Sequence, residues 1–217
     1  MFAGFPPEAL TFYEGLAADN SKAYWQANRE VYEDAVREPM EELIAELADE
    51  FGAAKVFRPY RDVRFSKDKS PYKTAQGALF RQDGFEGSSR YVQIDAEGLW
   101  AGGGRYHPDN TVLKRIRAAI DEQPGAELQR IRDELEQAGL EYTTADSLKT
   151  APRGFPRDHP RIALLRCRSH AALIRLKAGA WLHKPAAKER VVEVFRTVTP
   201  LVEWLERHGG PPEPRER

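Results

Sequence analysis

Apolar residues recur with a helical period over the first fifty positions. Leu10, Phe12, Tyr13 and Leu16 form one inward stripe. Phe5-Pro6-Pro7 opens it, where a proline's missing N–H costs nothing. Asp19, Asn20 and Ser21 are cap candidates for a second helix carrying Tyr24, Trp25, Val31, Tyr32 and Val36. Pro39 marks a restart. Met40, Leu43, Ile44, Leu47 and Phe51 then give the clearest helical period of the chain, closed by Gly52. Trp25 and Tyr24 read as core rather than pocket lining, because aromatic residues at helical spacing mostly pack inward.

The period next shortens to two. Strands are expected near 55–58, 62–65 and 77–81, followed by a hairpin of 90–95 and 99–102 around Ala96-Glu97-Gly98. Between 62 and 65, Val63 and Phe65 should face inward and Asp62 and Arg64 outward. Helical spacing returns with Val112, Leu113, Ile116 and Ile120 behind a cap at Asp109 or Asn110, breaks at Pro124-Gly125, and resumes with Leu128, Ile131 and Leu135 up to Gly139. Residues 140–160 are irregular. A short helix over 161–166, a strand over 172–176 and a C-terminal helix from Pro185 follow. That helix carries Val191, Val194, Phe195 and Val198, restarts at Thr199-Pro200 and runs on to His208. The whole reads as one α+β domain over residues 1–209, a mostly antiparallel central sheet flanked by helices, with a disordered tail over 210–217.

Candidate chemistry gathers where the periodicity fails. Residues 58–74 hold six basic and two acidic side chains with hydroxyls between them. Arginine offers an oxyanion a planar fork and lysine a mobile point charge, so this stretch suits a phosphate, sulfate or carboxylate. The bland reading is a solvated edge whose lysines discourage strand-to-strand association. Gly102-Gly103-Gly104, before Tyr106 and His107, reads as a turn at a strand end or a place of close approach. It is no P-loop, lacking the Gly-Lys-Ser/Thr ending. Residues 149–160 hold three prolines and one glycine, a stiff rim or a rigid crossing. One anionic-ligand cleft is expected from these segments. Arg61, Arg64, Ser66, Lys67, Lys69, Tyr72 and Lys73 come from the first, Gly103, Tyr106 and His107 from the second, and Arg153 and His159 from the third. His107 or His159 would serve there as general acid or base, or merely order its loop.

The motifs RFSKDKSPYKT, YVQIDAEGLWAGGGRYHPD and APRGFPRDHP, in that order, resemble the family catalogued as domain of unknown function 2461. The likeness runs from about Phe5 to His208 and implies a single-domain, bacterial-type protein without an assigned activity. Ala75 stands where the resemblance leads one to expect a polar residue.

Composition narrows the classes. The net charge of −1 argues against nucleic acid and anionic membranes as partners. An uneven spread remains, −8 over residues 1–57 and +9 over 149–190. It leaves open an interaction module whose basic face binds an acidic protein or nucleic acid, or pairing of the two regions within the fold. A single cysteine, Cys167, excludes an internal disulfide and fits a reducing compartment. Its apolar neighbours suggest an inert thiol. No apolar run reaches membrane-spanning length, and the start lacks a basic-then-apolar leader, so a cytoplasmic protein is expected. Histidines without ligand spacing and one cysteine point to no metal site, and no cofactor motif is present.

Overall fold

The computed structural model describes residues 1–64, 67–81 and 87–211. The fold is α+β, with a six-stranded antiparallel sheet in the order β1-β2-β3-β4-β6-β5. The strands are β1 (Ala53–Val56), β2 (Ala75–Arg81), β3 (Ser89–Asp95), β4 (Gly98–Arg105), β5 (Glu141–Tyr142) and β6 (His170–Lys177). The chain gathers into two compact units. Met1–Phe80, Tyr91–Ala101 and Arg175–Glu193 make the first; Arg81–Arg90, Gly102–Ile174 and Val194–Arg217 make the second. Strands β2, β3, β4 and β6 give residues to both. Among the described residues no helix is long and apolar enough to cross a membrane.

The first unit opens with α1 (Glu8–Ala18), whose buried face is Ala9, Phe12, Tyr13 and Leu16. Leu10 is only half-buried, since Ala9 takes the inward position. Ser21 caps α2 (Lys22–Ala27), its Oγ accepting from the Tyr24 amide at 3.1 Å. After α3 (Arg29–Tyr32) the chain does not restart at Pro39. It passes through a π-helical turn, Glu33–Arg37, directly into α4 (Glu38–Phe51). Proline in a continuous helix lacks a donor and crowds the carbonyl one turn back. The wider i→i+5 spacing, with the Glu38 amide on the Glu33 carbonyl, accommodates it. Gly52, at φ +86°, closes α4.

In the second unit Asp109 is the cap of α5 (Asn110–Asp121), accepting from the amides of Thr111 and Val112 at 2.8 and 2.9 Å. Helix α6 (Pro124–Gln137) packs on α5, and α9 (Thr199–Gly209) packs on both. The core there is Val112, Ile116, Ile120, Leu128, Leu201, Trp204 and Leu205. The Trp204 indole donates to the Pro124 carbonyl at 3.1 Å. Helix α7 (Ile162–Arg166) is short; α8 (Ala186–Thr197), which gives residues to both units, precedes α9 across Val198.

Two further expectations change. Gly102, Gly103 and Gly104 are not a turn; they lie inside β4. A Cβ on Gly102 would fall far inside contact distance of the Ala172 carbonyl, and one on Gly104 would meet the His170 carbonyl. The glycines let β6 approach, the second reading of that run. The strand expected over 62–65 is also absent, as far as its described residues show. The alternation survives as exposure, Val63 half-buried between exposed Asp62 and Arg64. Asp62 Oδ1, however, accepts from the Arg64 amide at 3.2 Å, a local turn that competes with strand pairing. Ladder pairing reduces to one antiparallel bridge, Tyr60 with Tyr72. Phe65 and Ser66 lie outside the described residues, as do positions 212–217 of the expected tail.

Candidate functional site

The basic stretch is a loop pinned at its neck. Pro59 and Pro71 cannot donate, but their carbonyls accept from the amides of Lys73 (2.8 Å) and Arg61 (2.9 Å), flanking the Tyr60–Tyr72 bridge. Asn20 brackets Tyr72, donating to its carbonyl and accepting from its amide, each at 3.1 Å. The Tyr72 ring stacks on Trp25 with centroids 4.3 Å apart and planes 6° from parallel. Tyr72 is therefore a buried anchor rather than a ligand group.

Beyond the neck several cations are already engaged. Arg64 forks onto Asp62, with contacts of 3.0 and 2.7 Å. Arg61 pairs with Asp68, whose carboxylate also accepts from the Ser70 amide and hydroxyl. Lys69 donates to the Val63 carbonyl at 2.8 Å. Lys67 is exposed.

Two of the expected residues, Arg61 and Lys73, line one shallow basin of about 530 Å³ in the first unit. Phe57, Thr74, Ala75, Gly77, Tyr91 and Gln93 also line it, and no carboxylate is among its described lining residues. Lys73 donates to the Arg58 carbonyl at 3.0 Å and lies over the Phe57 ring, 5.2 Å from its centroid. Burial first, and then the nearby Arg58, lowers its ammonium pKa. A partly desolvated cation beside a second cation is held at a cost that an anion would relieve.

The opposite wall is β3. Burial, with Asp95 adding to it, raises the Tyr91 phenol to about 12, so at neutral pH it keeps its proton. It donates that proton to Gln93 Oε1 at 2.6 Å, and Gln93 Nε2 donates to Asp95 at 3.2 Å. Asp95 also accepts from the Trp100 indole at 3.2 Å. This chain fixes Gln93 and leaves one amide hydrogen uncommitted. Ala75, where a polar residue was expected, contributes only a small apolar floor.

The other expected residues belong to the second unit. Gly103 packs against the Ser89 carbonyl and Val198. Arg153 is exposed. Tyr106, 63% exposed, sets its ring 4.1 Å from that of His107. His107 adopts φ +46°, the one positive φ outside glycine among the described residues. Its amide donates to Ser169 Oγ at 3.0 Å and its Nδ1 lies 3.3 Å from Asp146 Oδ2, which also accepts from Ser169 Oγ at 2.7 Å. His159 differs: Nδ1 accepts from the Arg161 amide at 3.0 Å, so its proton is on Nε2, 3.1 Å from Asp121. Both nitrogens are used, and His159 orders its loop. Cys167 is buried, and burial raises its thiol pKa.

The acidic N-terminal and basic C-terminal regions meet where Glu46 pairs with Lys188 at 2.6 Å. Other cations turn to carbonyls. Arg161 serves those of Ile120, Asp121 and Glu122 at the end of α5, and Arg117 those of Leu165 and Cys167.

Sequence reading missed Phe57, Thr74, Tyr91, Gln93 and Asp146 as site residues. The alternation of Tyr91, Gln93 and Asp95 with Val92 and Ile94 marked a polar strand face, but not what stands opposite it. No curated protein matches the chain. The sequence profile of the conserved hypothetical protein family DUF2461 matches residues 8–204, nearly the whole chain, and the protein belongs to that family.

Proposed function

We propose that the protein is a cytoplasmic, bacterial-type small-molecule protein, an enzyme or a binder, that holds an anionic or phosphorylated ligand in the basin of the first unit. One observation carries the reading: Arg61, which Asp68 holds from outside, and a partly desolvated Lys73 share a concave surface with no carboxylate among its described lining residues. Lys73 has N–H donors beyond the one it gives Arg58, Gln93 has a spare amide hydrogen, and Thr74 offers a hydroxyl. Together they match the several acceptors of a phosphate or carboxylate. A basic interaction face is the weaker reading, because within the basic segment Arg161 and Arg166 are committed to backbone carbonyls and Arg175 and Lys188 to carboxylates.

The test is a thermal-shift screen of phosphate, sulfate and carboxylates, followed by calorimetry. Arg61→Ala and Lys73→Met should each weaken anion binding roughly ten- to a hundred-fold, since a charged hydrogen bond is worth about 1.5–3 kcal/mol. Arg130→Ala, on an exposed face of α6, should leave it unchanged. Failure of every anion to raise the melting temperature would sink the proposal.

A further inference from the structure

A second cavity, of about 410 Å³, opens in the same unit. Its walls are Trp25, Tyr32, Phe57 and Tyr60, with Arg58 and the π-helical turn at its edge. Phe57 lines both this cavity and the anion basin. Arg61 of the basin is four residues along, at most about 14 Å away on an extended chain. Lys73, on the basin side, is tied to the carbonyl of Arg58 on the cavity side. We propose that the two form one bipartite site for a phosphate ester that carries a flat aromatic ring, as a nucleotide does. The inference rests on the anion-binding reading of the basin.

Three observations select the ring. First, the wall is an aromatic cluster with an unfinished edge. Trp25 has Tyr72 on one face and the Tyr32 ring at 4.7 Å, while Tyr60, 6.2 Å from Trp25, is 52% exposed. A flat ring extends such a cluster by stacking, which tolerates many ring types because each has a π-face. Second, the charges of the cavity reject a simple cation. Arg29, Arg37 and Arg58 outnumber Glu33 and Glu41, and both glutamates are held by Arg37 at 3.0 and 2.8 Å. With Arg29 also 3.9 Å from Glu33, two arginines balance the two carboxylates, which keep lone pairs, an edge of donors and acceptors suited to ring heteroatoms. Third, Glu33 and Arg37 come from the π turn. Such turns re-aim side chains and recur at functional sites. A cavity of this volume is within the range of small-ligand pockets, about 300–1,000 Å³.

The experiment compares adenosine monophosphate, ribose 5-phosphate, inorganic phosphate and adenosine by calorimetry on the full chain. Adenosine monophosphate should bind roughly ten- to a hundred-fold tighter than ribose 5-phosphate, the contribution of one stacked ring. Tyr60→Ala should bring it down to the ribose 5-phosphate level and leave ribose 5-phosphate unchanged. Lys73→Met should weaken both phosphates. Tyr60 is exposed, so its variant should keep the wild-type melting temperature, which is measured in parallel. Equal binding of the two esters, or a Tyr60→Ala variant that binds the nucleotide as tightly as wild type, overturns the ring site while leaving the anion basin intact. Adenosine binding as tightly as its monophosphate, or no binding by any phosphate compound, overturns the basin and the bipartite site with it.

Discussion

His170 should make the fold acid-sensitive over a defined window. The ring is fully buried, its Nδ1 is 2.8 Å from the Tyr142 hydroxyl, and its Nε2 has no partner among the described residues. Burial, reinforced by Arg117 and opposed by Asp146, lowers its pKa from 6.5 to about 4. The folded-state value lies below the unfolded one, so between them the unfolded chain binds more protons. Stability from this group is complete above pH 6.5 and drains away as the pH falls towards 4. A difference of about 2.5 pKa units amounts to about 3 kcal/mol in all, of which somewhat under half is gone by pH 5.5. Urea denaturation of wild type and His170→Asn at pH 7.5, 5.5 and 4.5 measures it. The asparagine amide can still meet Tyr142 and does not titrate, so the stability gap between the proteins should close by about those amounts on acidification. A gap that stays constant from pH 7.5 to 4.5 would mean that His170 takes up its proton inside the fold, and the reasoning fails.

Gly102→Ala should destabilise by about 3 kcal/mol or more, because the new methyl meets the Ala172 backbone rather than a movable side chain. Gly154→Ala, where nothing lies within 4 Å, should cost only about 1 kcal/mol from its φ of +94°; chemical denaturation compares the two. Arg161→Ala frees three carbonyls at the end of α5 and should cost about 2 kcal/mol by urea melting, where an equal loss in Arg161→Lys would show that the planar fork matters. Thermal unfolding should give a single calorimetric transition, since β2, β3, β4 and β6 contribute to both units and neither keeps them intact alone; two resolved transitions would refute this.

Much of the fold was legible because its signals are local. The stripes of α4, α5 and α6, the Ser21 and Asp109 caps and the closing Gly52 each depend on residues within a turn or two, and all appear in the structure. The α+β class followed from their alternation with short strands. Where local and long-range demands differ, the sequence misled. Residues 62–64 alternate like a strand, but Asp62 holds Arg64 in a turn that the pattern of apolar positions does not encode. Three glycines read as either a strand-end turn or a place of close approach, and only β6 lying against them decides for the second. The same holds for the candidate site. Charge density at 58–74 marked where cations cluster, but a side chain's partner is set by tertiary placement. That placement turned Arg64 to Asp62, buried Tyr72 against Trp25, and committed both nitrogens of His159. It also set Tyr91 and Gln93, remote in sequence, beside Arg61 and Lys73. Periodicity reports which face of an element is inward, whereas the composition of a concave surface depends on contacts between segments that no short stretch of sequence contains.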